Sequence, residues 1–313
     1  MYEKGWRMPR RTLRVAAPAK VNLFLSVGGR RADGFHELDT VFHALDLFDR
    51  LVVEVFDARP GLPEFSLVGD LPSDCSPSDN LVYRAYLRAR SIAPLPAGQA
   101  VRVRVDKRIP LRSGLGGGSS DAAGMLLAHA RLVGADVHSD SYLRAAADLG
   151  ADVAFFLQGG CARMTGRGER LAERFEPLAL SLVVTSAGTG VSTAAAYRRF
   201  DEDPQPFRSS EPLVSLLREG SVDPDDLAAA CWNDLAPAAR FLNVQVDREL
   251  RWLSDQPEAL AACMTGSGDA CFAFCEDAAR AARLAARARE QGLWACATRL
   301  ASSGVRLDGD APS

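Results

Sequence analysis

The segment Pro110–Asp121 has the residue types that bind phosphate. It reads PLRSGLGGGSSD, and an Ala/Leu-rich stretch follows it. Because glycine has no Cβ, the backbone N–H groups of such a loop can approach an anion closely. A helix that begins after the loop would add unpaired N–H groups and the positive end of its dipole. The pattern predicts a phosphate-binding loop, with a flexible surface loop as the alternative.

This loop differs from two well-known phosphate-binding patterns. A Walker A loop needs a lysine followed by Ser or Thr, and no lysine follows these glycines. The dinucleotide fingerprint needs Gly or Ala at its sixth position, where Ser119 stands when Gly114 is the first. Ser119 and Ser120 could cap the helix or bind a phosphate oxygen or a metal ion. A second glycine-rich stretch, Thr265–Asp269, indicates a tight turn, or a loop that closes over the same phosphates.

Two ionisable residues stand beside apolar runs, Lys20 in PAKVNLFL and Asp152 in LGADVAFF. An ionisable group next to a buried segment is usually paired or functional. In phosphoryl transfer a carboxylate can accept the proton of the attacking hydroxyl, and a lysine can orient that carboxylate and stabilise developing charge. The two residues are therefore candidates for a catalytic pair. The alternative is that each marks the surface edge of a strand.

The dipeptide Phe35–His36 offers an aromatic face beside a ring nitrogen. Such a combination can stack on a pyrimidine base and hydrogen-bond to its edge. Taken alone, His36 could equally be a hydrogen-bonded loop histidine. The other histidines, His43, His129 and His138, show no spacing typical of metal ligands.

Composition excludes several classes of function. The chain has 313 residues, which favours two domains, and a formal net charge of −3, which provides no basic field for nucleic acid. The basic residues between Arg7 and Arg14 are interpreted as a solvated extension. We expect neither a membrane span nor a secretory signal. The seven cysteines are odd in number and lack CxxC spacing, so we expect no disulfide framework, no zinc site and a cytoplasmic location.

Apolar periodicity indicates a mixture of strands and helices of the α+β class. Strands are predicted at residues 12–27, 51–56, 101–105, 180–185 and 271–275, and helices at 81–91, 121–133, 142–149, 246–253 and 278–291. Gly150 is expected to end a helix, residues 58–78 to form loops around a short strand, and residues 201–212 and 223–226 to form connections. A boundary near residues 167–173 would give domains of residues 1–168 and 169–313. The tail from Ser302 is expected to fray.

Three segments resemble, in the same order, the motifs of the GHMP kinase superfamily, named for galactokinase, homoserine, mevalonate and phosphomevalonate kinases. They read PAKVNLFL, PLRSGLGGGSSDAA and MTGSGDACF. The segments RRADGFHELDTVF, SPSDNLVYRA, VDKRIPL and LGADVAFFLQGGCA look like the branch that phosphorylates the 2-hydroxyl of 4-diphosphocytidyl-2-C-methyl-D-erythritol in non-mevalonate isoprenoid biosynthesis. The resemblance covers about residues 14–300. It implies a two-domain GHMP-kinase-like fold with its active site in the cleft between domains.

The resemblance also implies roles for particular residues. Lys20 and Asp152 match the catalytic lysine and aspartate. The implied ATP site consists of Pro110, Leu111, Arg112, Ser113, Gly114, Leu115, Gly116, Gly117, Gly118, Ser119 and Ser120, with Asn80 and Lys107 near the nucleotide. The implied acceptor site consists of Asn22 near the reacting alcohol, Phe35 and Tyr197 on the two faces of the cytosine, His36 at its edge, and Thr193. ATP and Mg²⁺ are the implied cofactors, with Ser119 or Ser120 as the contact to Mg²⁺ and no other metal.

The chain departs from the family pattern at two positions. Phe35 stands where tyrosine is common, so the stacking face is kept and a hydroxyl is lost. Asp269 follows TGSG where less acidic residues are common, and a carboxylate near phosphates is unfavourable unless it points away or faces a cation. Whether Asp152 acts as a base or only orients the hydroxyl stays open at this point.

We expect a small-molecule partner, a cytidine diphosphate conjugate, and a monomer or weak homodimer with no nucleic-acid or membrane partner. One alternative is a mevalonate or homoserine kinase, against which Phe35–His36 argue because those substrates carry no base. A second is a non-catalytic nucleotide-binding protein, against which the presence of Lys20 and Asp152 argues.

Overall fold

Two long antiparallel strands, β1 (Arg11–Arg30) and β2 (His36–Asp57), form the centre of the fold. The computed structural model describes residues 6, 8–71, 76, 78–220 and 222–308, so Arg7, Cys75 and residues 309–313 lie outside the described residues. Register shifts interrupt the β1–β2 ladder between Pro18 and Lys20 and again between Asn22 and Phe24. Bulges of this kind re-aim side chains, and here they flank Lys20 and Asn22.

The first sheet extends this pair on both sides. Its remaining strands are β3 (Phe65–Gly69), β4 (Gln99–Asp106), β5 (Cys161–Gly166), β6 (Arg170–Phe175), β8 (Trp232–Asn233) and β12 (Arg306–Leu307). At one end the order is β12-β1-β2-β4-β3, while β5 pairs with the other end of β2 and β8 with β1.

Four helices cover one face of this sheet. They are α1 (Leu81–Ile92), α2 (Gly117–Val133), α3 (Asp140–Leu149) and α4 (Ala151–Gln158). Alternate residues of β4, Val101, Val103 and Val105, are buried against them, whereas Arg104 on the opposite face is exposed. The packing of helices on this face positions the first turns of α2 and α4.

The second sheet has the order β11-β7-β10-β9. These strands are β7 (Ser181–Ser186), β9 (Ala261–Met264), β10 (Cys271–Cys275) and β11 (Trp294–Arg299). The accompanying helices are α5 (Thr193–Glu202), α6 (Glu211–Glu219), α7 (Pro224–Ala230), α8 (Ala236–Leu242), α9 (Val244–Ser254) and α10 (Ala278–Glu290). None of the described helices is both long enough and apolar enough to cross a membrane.

Two apolar clusters join the two sheets. One contains Val21 and Leu23 of β1 together with Val184 of β7 and Phe272 and Phe274 of β10, and the other contains Leu25 and Val27 of β1 together with Val183 of β7. Burial of each such side chain stabilises the folded protein by roughly 1.5–3 kcal/mol. The two sheets therefore share a core, and a cleft opens beside it.

Most predicted elements are confirmed, and the differences have local causes. The apolar run 151–157 beside Asp152 forms helix α4 and not a strand, and α2 begins at Gly117, inside the glycine loop. Residues predicted as connections, 201–212 and 223–226, include the end of α5 and the starts of α6 and α7. Gly150 does end α3, although with an extended φ of 170°.

The described part of the tail is ordered, contrary to the expectation that residues from Ser302 fray. Val305 N donates to Phe156 O at 2.9 Å, and β12 pairs with β1. The domain division at residue 168 stays a prediction. The first sheet takes β6, β8 and β12 from the C-terminal side of that division.

Candidate functional site

A cavity of about 480 Å³ opens beside the shared core. Among its lining residues are fifteen of those predicted for the site: Lys20, Asn22, Lys107, Pro110, Leu111, Arg112, Ser113, Gly114, Gly116, Gly117, Gly118, Ser119, Asp152, Thr193 and Tyr197. The structure thus brings together residues from β1, the glycine loop, α4 and α5.

The glycine loop ends at the open N-terminus of α2. Gly116 precedes the helix with a left-handed φ of 74°, and no side chain of the described residues caps the helix there. Gly117, Gly118 and Ser119 of the first turn line the cavity. The first N–H groups of a helix lack intrahelical acceptors and attract anions. This end of the cavity is therefore suited to phosphate.

The turn 265–269 packs directly on the glycine loop. A Cβ at Gly268 would overlap the backbone of Ser113, and a Cβ at Gly114 would overlap the carbonyl oxygen of Thr265. Ala270 N donates to Ser113 O at 2.9 Å. Glycine is thus required on both segments for their close approach, and the two glycine-rich segments form one surface.

Asn22 joins this surface to β1. Its Oδ1 accepts hydrogen bonds from Lys20 Nζ at 2.6 Å and Gly266 N at 2.9 Å, and its Nδ2 donates to Thr40 Oγ1 at 2.8 Å. Its backbone N–H donates to Thr265 Oγ1 at 2.9 Å. One side chain thereby fixes both the Lys20 ammonium and the turn.

Lys20 and Asp152 line the same cavity without a direct ion pair. The Lys20 side chain is 3% exposed, and its Nζ lies 5.0 Å from the centre of the Phe42 ring. Burial lowers the pKa of Lys20, and the charge of Asp152 partly opposes that shift. Asp152 lies in the first turn of α4. The expected arrangement in which Lys20 holds Asp152 is replaced by one in which Asn22 holds Lys20.

Lys107 is held beneath the glycine loop by two carboxylates. Its Nζ donates to Asp49 and, at 2.8 Å, to Asp121 Oδ2. Burial disfavours the charged ammonium and so acts to lower the pKa of Lys107. The charges of Asp121 and Asp49 have the larger combined effect, and the pKa is raised. Burial, aided by Asp49, also raises the pKa of Asp121 to about 7 although Lys107 opposes that shift. One ammonium shared by two buried acids leaves one of them readily protonated.

His36 packs against α5 and does not itself line the cavity. Its ring stacks on Tyr197 with centroids 5.2 Å apart, and its Nε2 lies 2.7 Å from Asp201 Oδ1. Burial raises the pKa of Tyr197, and the charge of Asp152 adds to that shift. Phe35 is 53% exposed, with the Arg167 guanidinium 5.0 Å from its ring centre. Tyr197 thus contacts the ring of His36 and lies within the electrostatic influence of Asp152.

Asp269 points away from the phosphate end. It accepts hydrogen bonds from Ser186 Oγ, Thr189 N and Gly190 N at 3.0, 2.8 and 2.9 Å. It therefore fixes the connection that leads into α5. At the start of α5, Thr193 Oγ1 lies 2.7 Å from Ser267 Oγ in the turn.

Several predicted residues lie beside the cavity and not on it. Leu115 is buried and accepts a backbone hydrogen bond from Lys20 N, and Asn80 caps α1 next to Lys107 in an adjoining pocket. Ser120 is fully buried. Sequence reasoning missed Asp49 and Asp201, whose contacts form only in the folded chain. The one sequence signal for Asp201 is its position one helical turn after Tyr197.

Residues 80–160 match the family described as GHMP kinases N terminal domain, and residues 217–292 match GHMP kinases C terminal. The 4-diphosphocytidyl-2-C-methyl-D-erythritol kinase of Salinispora arenicola is 39% identical over 87% of this chain and 86% of its own length. The kinase of the same name from Mycobacterium tuberculosis is 37% identical over 91% and 89%.

Two solved structures are also similar to this chain. A crystal structure of 4-(cytidine 5'-diphospho)-2C-methyl-D-erythritol kinase is 37% identical, with a TM-score of 0.73 over 93% of this chain and 100% of that one. Homoserine kinase from Cytophaga hutchinsonii has a TM-score of 0.70 over 97% of this chain and 100% of its own, at 18% identity. At this low identity, the similarity to homoserine kinase shows the fold alone.

Proposed function

This chain belongs to the 4-diphosphocytidyl-2-C-methyl-D-erythritol kinases of the GHMP kinase superfamily, and we propose that it carries out their reaction through the residues of its cleft. ATP is the phosphoryl donor, and the acceptor is the 2-hydroxyl of 4-diphosphocytidyl-2-C-methyl-D-erythritol. The product belongs to the biosynthesis of isoprenoid precursors.

The observation that supports these roles is that the groups they need meet at one cavity. The first turn of α2, Lys20, Asp152 and Tyr197 line this cavity, and the ring of Tyr197 stacks on His36, which lies behind it. In the proposed arrangement the first turn of α2 holds the nucleotide triphosphate, His36 and Tyr197 hold the base of the acceptor, and the reacting groups meet at Asp152.

In the proposed reaction the acceptor oxygen attacks the γ-phosphorus and the bond to ADP breaks. Asp152 orients the hydroxyl and receives its proton. Lys20, fixed by Asn22, offsets the negative charge that develops on the transferring group. The N–H groups of Gly117, Gly118 and Ser119 hold the phosphates of ATP.

Mg²⁺ fits the residues at the phosphate end. Ser119 lines the cavity, and Ser120 Oγ is a buried hydroxyl without a hydrogen-bond partner among the described residues. Magnesium is usually held by few protein oxygens together with the phosphates of the substrate, and it would neutralise phosphate charge here. We further expect a cytoplasmic monomer or weak homodimer without a nucleic-acid partner.

The test is ATP turnover by the purified protein in a coupled assay of ADP release. The acceptors are 4-diphosphocytidyl-methylerythritol, mevalonate and homoserine, with an acceptor-free control. Turnover with the cytidine compound alone supports the proposal. Turnover with mevalonate or homoserine alone would overturn the substrate, and no turnover with any acceptor would overturn the activity.

A further inference from the structure

Helix α5 surrounds the ring of His36 with three side chains spaced along one face. Besides Tyr197, the ring of Phe200 meets the imidazole edge-on at 90°, with centroids 6.3 Å apart. Asp201 Oδ1 lies 2.7 Å from Nε2, and Asp201 Oδ2 lies 3.5 Å from the guanidinium of Arg30. Tyr197 and Asp201 are one helical turn apart, so they reach the same ring.

The contact with Asp201 determines where the neutral imidazole carries its proton. An ionised carboxylate can only accept hydrogen bonds. The guanidinium of Arg30 is the cation beside the carboxylate of Asp201. Nε2 must therefore donate, and Nδ1 of the neutral ring keeps a lone pair. Among the described residues, none forms a hydrogen bond with this Nδ1. The second nitrogen is left as an acceptor for a ligand.

We propose that Asp201 is a specificity-determining positioning residue that fixes His36 in the tautomer able to accept a hydrogen bond from an amino group. This inference rests on the proposed function, which places a pyrimidine base at His36. Cytosine offers an exocyclic amino donor there, whereas uracil offers a carbonyl oxygen, and two acceptors repel. Without Asp201 the imidazole can move its proton to Nδ1 and donate to uracil.

The tautomer is tested first, without any substrate. Nitrogen-15 spectra of the histidine side chains are recorded at about pH 8, where an ordinary imidazole is neutral. The signal of His36 is assigned by its absence in His36→Gln. We expect the Nε2–H form in the wild type and in Asp201→Asn, because the asparagine oxygen still accepts from Nε2. We expect a mixture in Asp201→Ala. A wild-type ring protonated on Nδ1 would overturn the inference.

The selectivity is tested second. kcat/KM is measured for the cytidine conjugate and for its uridine counterpart. In Asp201→Ala the ratio of the two kcat/KM values, which measures the preference for cytidine, should fall about tenfold, because one hydrogen bond contributes about that factor. The change should appear in KM more than in kcat. Asp201→Asn should retain the preference, as should Glu202→Ala, which removes an exposed carboxylate from the next position of the same helix.

The outcomes separate the two proposals. An unchanged preference in a folded Asp201→Ala, checked by its melting curve, overturns the inference while the proposed function stands. A wild type that phosphorylates neither conjugate overturns the proposed function and, with it, the assigned role in selectivity. In that case the spectra still decide whether Asp201 fixes the tautomer.

Discussion

The sequence predicts that Lys20 holds the carboxylate of Asp152, but in the structure the two side chains do not form this pair. Asn22, and not Asp152, receives the hydrogen bond from Lys20, so Asp152 is left without a direct ion pair to Lys20 and available to the acceptor hydroxyl. This geometry is compatible with the proposed role of Asp152 as the group that receives the proton of the acceptor hydroxyl.

Asp152→Asn should reduce kcat by about 10²–10⁴-fold, the range of a general base, since an amide cannot take the hydroxyl proton. The affinity for ATP should change less than about threefold, because the phosphate groups are assigned to α2. Single-turnover kinetics and ATP titration measure the two effects. Asp148→Asn, on the exposed face of α3, is the matched control and should behave as wild type. Near-normal turnover in the Asp152 variant would contradict the assigned role.

At the residue scale, the sequence predicts those candidate residues that lie in local motifs. Lys20, Asp152 and the glycine loop lie in short patterns whose chemistry can be inferred from neighbouring residues. Asp201 and Asp49 could not be found in this way. Their partners, His36 and Lys107, are 165 and 58 positions distant in the chain, so the contacts depend on the fold.

At the element scale, the close contact between the glycine loop and the turn 265–269 is a steric requirement. Gly268→Ala should destabilise the protein by about 1–3 kcal/mol and raise KM for ATP, because its Cβ would overlap the backbone of Ser113. Thermal unfolding and steady-state kinetics measure both. Gly29→Ala is the matched control, since a Cβ there meets nothing within 4 Å. Equal stability of the two variants would show that the segments can separate freely.

Glu249 on α9 gives the molecule a specific pH dependence. Burial raises its pKa from 4.5 to about 7, with a hydrogen bond from Thr185 opposing and the charge of Asp269 adding to the shift. Between these values the folded state holds the proton that the unfolded state has released, so stability falls as pH rises. The slope from this residue approaches about 1.4 kcal/mol per pH unit.

Glu249→Gln should remove that slope. Compared with the wild type, the variant should gain stability between about pH 4.5 and pH 7 and stay parallel to it above pH 7. Urea unfolding at several pH values measures the difference. Glu290→Gln, at the exposed end of α10, should leave the slope unchanged. Parallel curves for the wild type and Glu249→Gln across the whole range would contradict the assignment.

Element prediction succeeded where the pattern was local. The alternation in β4 and the Ala/Arg composition of α10 are sufficient to specify their type. Helix α4 was not assigned, because a short apolar run beside Asp152 has no period that separates helix from strand. β12 was missed since its two residues are strand only by pairing with β1. The first half of β2 was missed for the same reason, because pairing with β1 and β5 determines it.

At the scale of the whole molecule, the core shared by the two sheets should make unfolding one cooperative event. Phe272 is fully buried in that core, so Phe272→Ala should cost about 3–5 kcal/mol and lower a single transition without splitting it. Calorimetry and circular dichroism should report the same midpoint. Phe241, 71% exposed on α8, provides the matched control, and its alanine variant should lose about 1 kcal/mol or less. Two separate transitions would show that the halves unfold independently.

Helix α5 has a further consequence for the molecule as a whole. Its first residue touches Ser267 in the turn 265–269, and Asp201 eight positions later touches His36. A helix rises 1.5 Å per residue, so this span is about 12 Å and changes little. The helix therefore holds Ser267 and His36 at a nearly fixed separation. Under the proposed function this fixed spacing separates the turn at the phosphate end from the histidine that binds the base, and we expect a conjugate with a shorter linker between its hydroxyl and its base to be a poorer substrate.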